Sequence, residues 1–276
     1  MKENTYSEES EMPFLAHLEI LRWHIIRSVS AIVIAAVMLF LNKSFLFDKV
    51  VFAPKKPDFI SYRLLCKLSE FLHGLMPTVT GKDTLCIGQN LPPLQNISMS
   101  GQFMTHITAS VIGGFVLAFP YVMWELWRFI KPGLHPTERK YTKGFVLITS
   151  LLFFIGVLFG YYVIAPLSID FLLTYNISSE VINNPTLGTY ISTVTTVVLA
   201  CGLIFELPVL VYFLSKMGIL SAAFMKKYRR HAIVVALVIS AIITPPDVFS
   251  QILVAIPIMF LYEISIFIAR KVAPSS

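Results

Sequence analysis

The stretch Thr196–Phe213, TVVLACGLIFELPVLVYF, decides how this chain is read. It is apolar or small on every side except at Glu206, and Pro208 follows two residues later. A helix that is hydrophobic all round belongs in a buried core or a membrane. A carboxylate in the middle of a membrane span costs a few kcal/mol on insertion scales, so such groups ordinarily face the bundle interior and serve a function. The run ends at Lys216. At 1.5 Å per residue, that puts Glu206 about 15 Å from the charged end, near the centre of a hydrocarbon core about 30 Å thick. A protonated, hydrogen-bonded glutamate at the leaflet edge is the plain structural alternative, and the depth weighs against it.

Composition fixes the solvent. Of 276 residues, 56% are hydrophobic and only 14% charged, with a mean hydropathy of +0.73. Soluble domains carry about a quarter charged residues, so this is an all-α polytopic membrane protein. Apolar segments cover 23–41, 102–127, 144–166, 189–214, 231–243 and 248–268. The amino terminus is acidic (Glu3, Glu8, Glu9, Glu11) and no small-residue cleavage site follows the first run, which therefore reads as a retained span.

Basic residues set the topology. Arg22 and Arg27 open the first span, and Arg128, Lys131, Arg139, Lys140 and Lys143 fill 128–143. Lys216, Lys226, Lys227, Arg229 and Arg230 crowd 215–230, while Arg270 and Lys271 lie in the tail 269–276. The positive-inside rule predicts six spans with the segment 1–22, both basic loops and the tail in the cytoplasm. Outside would lie a cap, 42–101, a loop, 167–188, and a turn, 244–247. The cap is basic too, but long segments translocate regardless of charge. Its stretch RLLCKLSEFLHGLM suggests short helices on the membrane surface. It holds Cys66 and Cys86, which an oxidising exterior permits to pair, although spacing alone does not show that they meet. Cys201 reads as a small apolar filler.

Enzyme signatures are missing: no H-E-x-x-H, no G-x-S-x-G, no P-loop, and no histidines at ligand spacing within a span. Neither a catalytic residue, a metal, a cofactor nor a nucleic acid is expected. Gly156 and Gly160 match G-x-x-x-G, read here as intramolecular packing. Five stretches rise above this background: Glu206 itself; ITPPDVFSQ (Ile243–Gln251); PFLAHLEILRWHIIR (Pro13–Arg27); WELWRFIKPGLHPTERK (Trp124–Lys140); and FAPKKP (Phe52–Pro57). In the second, Pro245 and Pro246 fix a turn and Asp247 caps the last helix, which leaves Gln251 one turn inside it. Short fifth and sixth helices imply local thinning of the bilayer. Trp124 and Trp127 read as an interfacial belt.

Together HLEILR, the AP after the first span, LWRFIKPGLHPTER, FELPV and ITPPDVFSQ resemble the TatC family, the polytopic subunit of the twin-arginine protein translocase, over nearly the whole chain. The resemblance implies a curved, glove-shaped bundle in the bacterial inner membrane that binds twin-arginine signal peptides on its cytoplasmic face. It further implies recruitment of single-span TatA/TatB-type subunits, self-association, and export of folded proteins driven by the proton-motive force. Guanidinium recognition calls for carboxylates in bidentate reach. By motif position Glu138 is that carboxylate, Phe129 the supporting aromatic, and His17, Arg22 and Arg139 follow the pattern. Glu206, with Gln251, falls where the family receives a partner helix, and Pro54 where it turns into the external cap. One departure stands out: the family pattern H-L-x-E-L-R has Ile20 at its fourth position here, with Glu19 one place earlier, about 100° around a helix. The competing class is a proton- or ion-coupled secondary transporter using Glu206, against which the lack of internal repeats argues.

Overall fold

A computed structural model describes residues 14–75, 86–89, 91–131, 142–178, 180, 183–244 and 248–272. The described residues are overwhelmingly helical. Helix α1 spans Phe14–Leu41 and leads through a π-helical turn, Phe45–Val51, and a 3-10 turn, Ala53–Lys55, into α2, Ile60–Leu75. Helix α3 covers Gly101–Ile130. Helix α4, Thr142–Phe159, continues through a π-helical turn, Gly160–Ile164, into α5, Ala165–Thr174. Then come α6 (Leu187–Ile204), α7 (Leu207–Lys216), α8 (Ala222–Lys227), α9 (Arg229–Ile243) and α10 (Val248–Val272).

Among the described residues, five helical stretches are long and apolar enough to cross a membrane: Glu19–Leu41, Gly101–Ile130, Gly144–Thr174, Leu187–Lys216 and Ser250–Val272. The fifth expected span, α9, has 15 residues, about 22 Å at the α-helical rise, and is too short to cross unaided. Two boundaries differ from expectation. The third span runs on to Thr174 rather than stopping near residue 166, and along the extension Asp170 accepts a hydrogen bond from the Gly88 amide at 2.8 Å. The fourth span is interrupted between Ile204 and Leu207, where Pro208 cannot supply an amide to the helical ladder.

The bundle closes through close antiparallel contacts. On α4 and its π-helical extension, a methyl group on Gly156 would lie 2.6 Å from the Cys201 carbonyl, and one on Gly160 would lie 3.0 Å from the Cys201 Cβ. Gly156 and Gly160 thus pack within the chain, and Cys201, 2% exposed, fills the seam. Helix α6 packs on α3 and α4, whereas α7 packs on α10.

One end of the bundle, the cap end, is tied together by tyrosines. Tyr161 donates to the Val50 carbonyl at 2.7 Å and Tyr190 to the Val51 carbonyl at 2.9 Å. Tyr62 donates to the carbonyls of Pro54 and Pro166, and burial raises its phenol pKa well above the usual range. Pro166 has no amide to offer the Tyr162 carbonyl four residues back, and the Ser61 hydroxyl donates there instead. A disulfide joins Cys66 to Cys86; closing a loop of that length removes about 3 kcal/mol of unfolded-chain entropy. Gly88 adopts a positive φ of 81° against the Tyr62 ring, where no Cβ would fit.

Candidate functional site

The opposite end of the bundle, the base, brings the start of α1 against the end of α3. The His24 Nδ1 donates to one oxygen of Glu125, and the Tyr121 hydroxyl donates to the other at 3.0 Å. The Glu125 side chain is 1% exposed and that of His24 12%, so the pair is a buried staple between helices 101 residues apart in sequence. The Phe129 ring lies 6.1 Å from that of His24, edge to face. Arg128 sits over the Trp124 ring at 5.5 Å. Trp127, expected in an interfacial belt, turns inward instead: it is 5% exposed and stacks on Phe145 at 4.2 Å, with Phe213 beside it. It sits on the face of α3 that meets α4 and α7, so packing takes it out of the interface.

Around α1, Ile20 is one turn before His24 and half-buried, whereas Glu19 and Arg22 are exposed. The shift of the glutamate from position 20 to 19 therefore turns the carboxylate away from the seam with α3. His17 lies in α1, with its side chain outside the described residues. Glu138, Arg139, Pro245, Pro246 and Asp247 also fall outside them.

The second polar feature lies within the bundle. Glu206 occupies the two-residue break between α6 and α7, 8% exposed, and neither carboxylate oxygen has a hydrogen-bond partner among the described residues. The position follows from the chain: Pro208 forces the helix to restart, and the Glu206 carbonyl accepts from the amides of Val209 and Leu210 while its side chain stays unused. Gln251 does not meet it. The Gln251 amide donates to the Leu237 carbonyl at 3.1 Å, tying α10 to α9. Counted back from Arg270, Gln251 stands about 28 Å from the base and Glu206 about 15 Å from it, so the two polar groups occupy different heights. Pro54, at the mouth of the cap, is fully buried and offers its carbonyl to Tyr62.

Sequence reasoning passed over His24, Tyr121 and Glu125. One signal was present: an acid within an otherwise apolar helix, with a tyrosine four residues before it on the same face.

No group of three or more potential metal ligands occurs among the described residues. Residues 16–257 match the family described as Sec-independent protein translocase protein (TatC). The protein of that name from Blattabacterium is 43% identical over 97% of this chain and 98% of its own length. Its namesake from Carboxydothermus hydrogenoformans is 35% identical over 97% and 96%. A crystal structure of the twin-arginine translocase receptor TatC, in dodecyl maltoside, superposes with a TM-score of 0.68 at 31% identity, covering 92% of this chain and 99% of that one. The chain belongs to the TatC family, a non-enzymatic component of the twin-arginine protein translocase.

Proposed function

We propose that this protein is the receptor of a twin-arginine translocase, seated in the bacterial cytoplasmic membrane with six spans and both termini in the cytoplasm. The base then faces the cytoplasm and binds the paired arginines of a signal peptide. Glu138 supplies the principal carboxylate, and Phe129, His17, Arg22 and Arg139 take part in the same recognition. Glu19, turned away from the α1–α3 seam, contributes less. The observation that carries this reading is the His24–Glu125–Tyr121 staple, which fixes the α1 surface beside Phe129. Recognition of two arginines calls for a surface held at set positions, and the staple fixes the part of that surface that α1 and α3 supply.

Within the membrane, the unpartnered Glu206 receives a polar group from a single-span TatA- or TatB-type subunit, through a hydrogen bond of about 0.6–2 kcal/mol. So weak a contact suits a partner recruited transiently, and export of folded cargo then draws on the proton-motive force.

Photo-crosslinkers at residues 17, 19 and 138, presented with a twin-arginine precursor and a twin-lysine control, test the receptor reading. Adducts lost with twin lysine, strongest at 138, are expected. Equal adducts with both precursors at every position would discard the receptor reading and bring forward a transporter that uses Glu206.

A further inference from the structure

Helix α2 has three faces. Tyr62 and Ser69 are buried against the bundle, with half-buried Leu65 and Cys66 on the same side. Ile60, Leu64, Leu68 and Phe71 are instead 63%, 67%, 45% and 66% exposed. At about 100° per residue, these four fall within an arc of about 80°, opposite Tyr62 and Ser69. Exposed Arg63 and Lys67 border the arc. A helix surrounded by water gains nothing from four large apolar side chains in one stripe, and contiguous patches of this kind mark contact surfaces.

The height of α2 identifies what covers the stripe. Ser61 and Tyr62 meet the third span at the carbonyls of Tyr162 and Pro166. Counted from Gly144, where that span begins, these carbonyls lie about 27 and 33 Å along the helix. They bracket the far edge of a hydrocarbon core about 30 Å thick. Aromatic rings gather at the same level: Phe59 stacks on Tyr162 at 5.5 Å and meets Tyr62 and Tyr161 edge-on. Such rings concentrate where membrane meets water. Charge agrees, since Lys43, Lys49, Lys55, Lys56, Arg63 and Lys67 outnumber Asp48, Asp58 and Glu70 across residues 42–75.

We infer that α2 is an interfacial helix. Ile60, Leu64, Leu68 and Phe71 sit among the acyl chains of the adjoining leaflet, and Arg63 and Lys67 bind the phosphates of anionic phospholipids, the arrangement expected of a helix lying in the plane of a bilayer surface. The Ser61 and Tyr62 hydrogen bonds and the Cys66–Cys86 disulfide fasten the opposite face to the rest of the protein, so the stripe stays turned toward lipid.

The test uses the full-length protein in nanodiscs of phosphatidylcholine, with or without phosphatidylglycerol. A photo-crosslinking residue replaces Leu64, Leu68 or, as a control on the charged face, Glu70. Lipid adducts at 64 and 68 are expected several-fold above those at 70, rising further with phosphatidylglycerol. The paired substitution Arg63→Gln and Lys67→Gln should abolish that rise without lowering the adducts in phosphatidylcholine alone. In Leu64→Gln/Leu68→Gln, whose altered side chains are exposed and whose disulfide remains, amide exchange across 60–71 should quicken several-fold. Equal adducts at 64, 68 and 70, or adducts to a second copy of this chain in place of lipid, would overturn the inference.

Discussion

Two glutamates lie buried in this bundle under opposite conditions. At the base, Glu125 is 1% exposed and both its oxygens are occupied, by His24 and Tyr121. At the α6–α7 break, Glu206 is 8% exposed and neither of its oxygens has a partner among the described residues. The cost of removing a carboxylate from water is offset in the first case by charge-assisted hydrogen bonds and left standing in the second. A fold keeps an unrelieved cost of that kind where it serves something other than stability. Burial alone does not separate the two residues; the inventory of partners does.

Substitutions break or sharpen this contrast in descending order of size. Glu125→Ala strands His24 and Tyr121 and should lower stability by about 3 kcal/mol, read as an earlier unfolding transition in detergent. Glu206→Leu should act in the opposite direction, raising stability by about 2 kcal/mol on insertion scales, while crosslinks to a single-span partner subunit fall sharply and signal-peptide crosslinks persist. A loss of stability in Glu206→Leu would show that its carboxylate is paired after all and would erase the contrast. His24→Ala leaves Tyr121 to serve Glu125 and should cost about 2 kcal/mol. Tyr121→Phe removes one hydrogen bond and nothing of the ring, and should shift the transition least of these. Combining the last two in a double-mutant cycle sharpens the picture further: both donors serve one carboxylate, so their effects should not add.

The sequence makes Glu206 legible because its depth follows from counting along one continuous apolar run to Lys216, and because Pro208 marks the break. Gly156 and Gly160 are legible for a similar reason, since a small-residue face needs only a neighbour to fill it. Glu125 is harder to see. Its partner His24 lies 101 residues away, and flanking tryptophans give the segment the look of an interfacial belt, in which an acid would be solvated and unimportant. Trp127 misleads in the same way, because an aromatic residue at that depth satisfies either a lipid headgroup or a stack on Phe145, and only the approach of α4 decides. Along the extension of the third span, Asp170 takes an amide from Gly88, supplied by a part of the chain 82 residues earlier. Within-helix periodicity carries no trace of such a donor. The pairing of Cys66 with Cys86 has the same origin, since it rests on where Tyr62 and Gly88 bring the cap segments rather than on their spacing.

The interruption at Phe205 and Glu206 has a mechanical consequence. Helix α6 is held by α3 and α4, and α7 chiefly by α10, with the Tyr212 and Phe213 rings of α7 also reaching Phe145 of α4 and Trp127 of α3. A continuous helix would weld these groups into a single rigid rod. Here α6 and α7 meet at a joint two residues long, with the carboxylate mounted on the joint itself, while Val254 and Ile258 of α10 also pack with Val197 and Cys201 of α6. A group that docks against Glu206 would therefore meet this span where its helical ladder is interrupted rather than on a continuous rod.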